Sequence, residues 1–359
     1  MITLEKKQVL AERLSRQRFI NPIESFHYEQ EYMQLFKLLQ PVSPVHNTRP
    51  GDPPKLVHRA SFPDEQLTGE LRENNRLIKG RFCGGRIGYV LEEDLPVYAA
   101  AFRKPLTKSG AVHEDVWQVI KHSGGISKDQ LKQELQQYSA SEITKALQAL
   151  HEAFLIYEHQ PDTDWDTGWF DFETEWFKVE TGEDQFARAA SKVIATFIRS
   201  MAFATAANIK SWSQLPLKTI QKAVQTLLAE QVIVEAEAAE LGKGFICSDD
   251  IHQFAAAEVP SAVFMLDRSD IIVRAHMDEL LKQYKGLEVL QYLLIDGEFK
   301  GAVLGHWRIG PYPIDNIVVE LPQDQIEARR NEIIEAVTKI YEPERHPIHK
   351  YSGIEQVFQ

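Results

Sequence analysis

Apolar residues recur every three or four positions over Leu4 to Phe19 and again over Tyr28 to Leu39. The chain therefore opens on two predicted helices, parted by Asn21 and Pro22. From Pro41 to Pro54 the pattern stops. The run PVSPVHNTRPGDPP sets φ at five prolines and removes their backbone donors, which predicts an irregular, stiff loop. Those prolines also lower the entropy lost on ordering, so the loop is expected to be an ordered part of a functional concavity, or else a rigid spacer over the first helices. Arg81 to Val90 then reads as a Gly-interrupted strand or hairpin. Glu92 to Phe102 reads as a short helix whose acidic start suits the helix dipole.

Laid over itself with a shift of 77 residues, the chain repeats. Gln137, Ile143, Lys145, Ala146, Gln148, Leu150, Ile156 and Glu158 meet Gln214, Ile220, Lys222, Ala223, Gln225, Leu227, Ile233 and Glu235. Each copy reads helix, turn, helix and then a β-prone run, the sequence form of a winged helix. Ser139 or Ser141 is placed to cap the later helix of the first copy, and Pro216 suits the first turn in the second. Those later helices belong either in a DNA groove or in the scaffold. Lys145 alone marks the first, while Lys218 and Lys222 mark the second.

Beyond Val263 the period changes. FMLDRSDIIVRAH leads into a predicted helix at about His276 to Tyr284, and LEVLQYLLIDGEFKGAVLGHWRIG alternates as two strands turning at Asp296-Gly297. IDNIVVEL adds a strand, Gln323 to Ile340 an amphipathic helix, and a proline- and histidine-rich tail follows. The expected class is α+β: three tandem winged-helix motifs followed by a small C-terminal β-barrel-like domain. The expected boundaries are 1–112, 113–180, 181–260 and 261–359.

Charge refines this. The 359 residues carry a formal charge of -12, which argues against a chain coated in Lys and Arg, yet -9 of it lies between Leu155 and Gln185. Only Cys83 and Cys247 occur, far apart, so no disulfide framework or zinc module is readable and a reducing compartment is expected. The longest apolar stretch, near Ile194 to Ala207, is broken by Arg199, so no membrane span is expected and the cytoplasm is the default location.

Searches for Walker A, GxGxxG, HExxH and GxSxG patterns fail, and no cofactor is implied. Asp162, Asp164 and Asp166 echo a calcium loop, but the glycine falls at Gly168, the seventh place of such a loop and not the sixth. A linker anchored by Trp165, Trp169, Phe170, Phe172 and Trp176 fits better, and no metal site is expected. RENNRLIKGRFCGGR gathers Arg72, Arg76, Lys79, Arg81 and Arg86, either phosphate contacts or a solvated face. GHWRIG adds Trp307 and Arg308, an aromatic beside an arginine that stacks on a base or else packs in a core.

The tandem winged helices and three strings in shared order resemble the bacterial winged-helix DNA glycosylases of the AlkZ and YcaQ type: LIKGRFCGGRIGYVLEEDLPVYAAAF, FATAANIKSWSQLPLKTIQKAVQTLL and LQYLLIDGEFKGAVLGHWRIG. The resemblance spans nearly the whole chain. It implies three winged helices around a DNA-binding concavity with a terminal β-barrel, and double-stranded DNA, alkylated or crosslinked, as partner.

It also implies a Gln-x-Gln or Gln-x-Asp motif that orients water at a damaged nucleotide. Here the match reads Gln40-Pro41-Val42, with valine at the second polar place, and Tyr89 stands where the family has histidine. A valine neither accepts a proton nor orients water. Either Asp52, His46 or His58 substitutes, or the protein binds DNA without cutting the glycosidic bond. The alternative reading of Gln40 is a cap on the end of its helix before Pro41. The loop is expected to present His46, Asn47 and Arg49 to a phosphate or extruded base. The oligomeric state is not readable from the residues.

Overall fold

The computed structural model describes residues 2–45, 52–107, 109–159, 168–180, 182–254, 258–307 and 312–355. The chain begins with strand β1 (Ile2–Leu4) and helix α1 (Lys6–Arg16), so the first predicted helix is shorter at both ends than the apolar spacing suggested. Glu5 ends the strand and caps the helix in a reciprocal box with Gln8. β1 pairs in parallel with a strand more than two hundred residues on, at Ala236.

Three stretches then each run from helices into an antiparallel pair of strands. In the first, α2 (Glu29–Leu39) and α3 (Glu65–Glu73) precede the hairpin β2 (Leu77–Phe82) and β3 (Arg86–Leu91), and α4 (Leu95–Phe102) follows. The hairpin starts four residues earlier than its glycines indicated, and its turn runs through Cys83, Gly84 and Gly85, all with positive φ. The second contains α5 (Ala111–Ser123), β4 (Ile126–Ser127), α6 (Lys128–Glu134), α7 (Ala140–Glu152), β5 (Ile156–His159), β6 (Gly168–Asp171) and α8 (Phe172–Glu175). The third contains α9 (Glu183–Met201), α10 (Ala206–Ser213), α11 (Leu217–Ala229), β7 (Ile233–Ala238) and β8 (Gly242–Cys247).

One register recurs in all three. Val42 pairs with Tyr89, Ile126 with Trp169 and Ala204 with Phe245, each joining the third residue after an early helix to the last strand of its stretch. Each aromatic follows a glycine: Gly88, Gly168 and Gly244. The need for glycine is plainest at Gly244, where an added Cβ would stand 2.6 Å from the Phe203 ring and 2.7 Å from the Ala204 carbonyl oxygen. The repeated positions of the sequence also recur in space, because Ile143 and Ile220, Leu150 and Leu227, and Ile156 and Ile233 are all buried. Ser139 caps α7, whereas Pro216 occupies the N-cap of α11 and not its first turn.

The closing part holds β9 (Val263–Leu266), α12 (Ile271–Gln283), β10 (Val289–Ile295), β11 (Glu298–Gly305), β12 (Ile314–Val319), α13 (Gln323–Ala328), α14 (Arg330–Thr338), β13 (Lys350–Tyr351) and β14 (Ile354–Glu355). The expected barrel is corrected to an open sheet of order β14-β13-β12-β11-β10-β9, whose edge strands do not meet. The reason lies in β10, which is buried along its whole length. Leu293 and Ile295 pack in one core with Ile333 and Val337 of α14, while Tyr292 and Leu294 join the core of the preceding stretches. A sheet covered on both faces has no interior of its own to close around.

That larger core runs from Leu14 to Ala302 and fuses the first stretch, the third stretch and the closing sheet, with Phe154, Tyr157 and Phe172 of the second stretch joining it, whereas the rest of the second stretch packs around Val116, Leu131 and Ile143. Among the described residues, no helix is long and apolar enough to cross a membrane.

Candidate nucleic-acid interface

The fused parts leave an open cleft of about 740 Å³, a volume that includes the solvent at its mouth. Its walls come from the segment after α2, the β2–β3 hairpin, α10 and the β9–α12 connection. Pro41, Val42, Leu56, Ile87, Trp212 and Leu266 give it an apolar lining. Four cations, Lys55, Arg59, Arg86 and Arg274, stand against two carboxylates, Asp267 and Asp270. In a chain of net charge -12 this is a local surplus of positive charge.

The charges differ in how they are held. Arg59 is spent on the scaffold: Nη1 donates to Asp270 at 2.6 Å, Nη2 to Gln17 Oε1 at 2.8 Å, and its guanidinium lies 4.2 Å over the Phe19 ring. Lys55 pairs with Glu65. Arg86, on the exposed start of β3, and Arg274, buried on α12, have no carboxylate partner among the described residues.

Gln40 lies behind this lining. It is 2 % exposed; Nε2 donates to Asp94 Oδ2 at 2.8 Å and Oε1 accepts from the Leu91 N–H at 2.9 Å. Its backbone carbonyl accepts from the Tyr98 hydroxyl at 3.2 Å. The side chain that lines the cleft at this end is Val42. Asp52 is half-buried and outside the lining, while His46 and Arg49 lie outside the described residues, as does Arg308. His58 Nε2 is 2.8 Å from the Met265 carbonyl, and burial lowers its pKa, so it stays a neutral link to the closing sheet.

The basic string does not form one face. Arg72 is buried, with Nη1 3.5 Å from the Tyr89 hydroxyl, and Arg76 pairs with Glu29 at 2.6 Å. Lys79 pairs with Glu158 at 2.7 Å; burial pushes its ammonium pKa down and Glu158 opposes this. Arg81 donates to the Gly85 carbonyl at 3.0 Å and so braces the hairpin turn. Of the five, only Arg86 reaches the cleft.

Lys218 and Lys222 are exposed on α11, and neither takes part in an ion pair among the described residues. Trp307 is half-buried against the core of the closing sheet, with its backbone N–H on Glu288 at 2.7 Å. Asp162, Asp164 and Asp166 are outside the described residues. Trp169 and Phe172 are core residues of a strand and a helix, so this part of the expected linker is regular structure. Among the described residues, no group of three or more His, Cys, Asp or Glu is placed to hold a metal.

Sequence reasoning missed Lys55, Arg59, Asp267, Asp270 and Arg274. A signal existed. In DRSDIIVRAH, Asp270 caps α12 through the Ile272 N–H at 2.9 Å, so the helix starts five residues before His276, and Arg274 interrupts its otherwise apolar face.

No curated protein sequence matches the chain. The Streptomyces sahachiroi DNA glycosylase AlkZ shares its fold at a TM-score of 0.66 and 14% identity, over 97% of this chain and 100% of that one. The family model described as DNA glycosylase AlkZ-like matches residues 57–291, which include the β2–β3 hairpin, Trp212 and the whole β9–α12 connection. The chain therefore belongs to the AlkZ-like DNA glycosylase family.

Proposed function

We infer that this protein recognises damaged duplex DNA, alkylated or crosslinked, and receives an extruded nucleotide in the cleft between Val42 and α12. The observation that carries this is the pairing of an apolar lining with unpartnered cations in an acidic protein. A flipped nucleotide needs an apolar surface for its base and sugar and cations for the flanking phosphates. We read the three stretches, 1–112, 113–180 and 181–260, as winged helices that carry the duplex, with Lys218 and Lys222 of α11 on its backbone. Part 261–359 closes the concavity, and the cytoplasm is the compartment that fits this role.

Whether the bond is cut turns on Gln40 and Val42. A glycosidic hydrolysis needs a group that orients water and one that stabilises the positive charge growing on the sugar. Gln40 has both ends of its carboxamide engaged behind the lining, and Val42 brings no polar atom. This favours a second reading, a damage-binding protein that keeps the fold without the chemistry. Incubation with duplex containing N7-alkylated guanine or an interstrand crosslink, followed by alkali cleavage at abasic sites, separates the two. Strand breaks establish a glycosylase, tight binding without breaks establishes the binder, and no binding at low salt rejects both.

A further inference from the structure

We propose that Arg274 is a phosphate receptor, holding a backbone phosphate beside the nucleotide that occupies the cleft, with Arg86 as the second cation. This rests on the DNA-binding reading above and names the group the site grips. Arg274 lines the cleft yet is only 8% exposed, and its Nη2 is buried with no hydrogen-bond partner among the described residues. The carboxylates nearest along the chain are engaged elsewhere. Asp270, one helical turn back, accepts from Arg59 Nη1 on Oδ2 at 2.6 Å and from the Ile272 N–H on Oδ1 at 2.9 Å. Asp267 accepts from the Ser269 N–H at 2.7 Å and from Gln291 at 3.3 Å.

The position is fixed from behind. The Ser211 hydroxyl donates to the Arg274 carbonyl at 2.8 Å and Asn208 donates to the Ala275 carbonyl at 3.2 Å, locking α12 onto α10. A guanidinium does not shed its proton to escape burial, and a buried charge without a counter-ion is costly. Such a group on a rigid helix pair is completed by an anion from outside, and its planar fork suits the oxygens of a phosphate. The apolar lining beside it, with Val42, Ile87 and Trp212, suits a nucleoside and not a free inorganic ion.

The test compares full-length wild type with Arg274→Gln and Arg274→Lys by thermal melting with and without inorganic phosphate. The same proteins are titrated with a labelled duplex carrying a tetrahydrofuran abasic analogue. Without phosphate, Arg274→Gln is expected to melt at or above wild type, because it removes an unpaired buried charge. Its affinity for the duplex should fall roughly tenfold, with the slope of log affinity against log salt shallower by about 1. Arg274→Lys keeps the charge without the fork and should restore the slope more than the affinity. A melting point several degrees lower for Arg274→Gln would assign the residue to the scaffold and overturn the proposal. So would wild-type duplex affinity and slope in that variant while wild type binds well. A phosphate-induced melting shift lost in Arg274→Gln, with duplex binding unchanged, would make a free phosphate the ligand and also overturn it. Failure of wild type itself to bind duplex at low salt is a different result, which rejects the DNA reading as a whole.

Discussion

The Gln40 side-chain amide donates to Asp94 at 2.8 Å while its carbonyl accepts from the Leu91 N–H at 2.9 Å. Gln40 thus ties the end of α2 to the end of β3 and the start of α4. Gln40→Ala leaves a buried carboxylate and a buried N–H short of partners, at a cost of about 2 kcal/mol or more. Thermal melts should show this loss. Any drop in DNA cleavage by that variant then reports on the fold as well as on chemistry, and an unchanged melting point would contradict the structural role.

Arg86 and Lys79 stand close on one hairpin but should respond differently. Arg86→Ala removes an unpartnered cation from the cleft and should weaken duplex binding, with a salt slope shallower by about 1 and little change in melting. Lys79→Ala removes a buried ion pair with the half-buried Glu158, so it should lower the melting point and alter DNA affinity less. Equal losses of affinity in the two variants would contradict the assignment of only Arg86 to the cleft.

Acid should weaken the second stretch through His151. Its imidazole is buried against Trp169, and burial pushes its pKa down from 6.5 to about 3; Glu158 opposes this, while Arg81 and Lys79 add to it. The unfolded chain takes up the proton below about 6.5 and the folded chain does not, so this contribution is intact above 6.5 and lost as pH falls toward 3. Melting points measured from pH 7 to pH 4 should fall, and His151→Leu should flatten the fall. Parallel curves for the two proteins would refute the account.

Gly244→Ala drives a methyl group into the Phe203 ring and the Ala204 carbonyl, so one strand of the third stretch must move. We expect a destabilisation of about 1–3 kcal/mol. Gly88→Ala meets nothing nearer than Pro41 Cβ at 3.1 Å and should cost less. Chemical denaturation of both variants gives the order directly, and the reverse order would contradict the shared register.

The repeat was legible because its matched apolar positions are buried: Ile143, Ile220, Leu150 and Leu227 face cores, and periodicity reports burial. The Asp296-Gly297 turn was legible because both residues take positive φ, which their types favour. The shared Gly-aromatic register was in the sequence at positions 88–89, 168–169 and 244–245, but a single pair of residues gives no periodic signal. The barrel was misread because β10 alternates between two cores, and hydrophobicity along a strand does not say what covers each face. The cleft was hardest to see. Lys55, Arg86, Trp212 and Arg274 lie far apart in the chain, and whether an arginine is paired depends on partners that only the fold brings near.

The central claim is that the cleft itself receives a damaged nucleotide. The most direct measurement is the affinity of the full-length protein for a duplex with a tetrahydrofuran abasic analogue relative to the same duplex intact, for wild type and for Val42→Trp, which fills the lining with an indole. The account predicts a clear preference of wild type for the lesion duplex, and near-equal, salt-sensitive binding of both duplexes by Val42→Trp. Equal binding of the two duplexes by wild type, or a preference that survives in Val42→Trp, would contradict it.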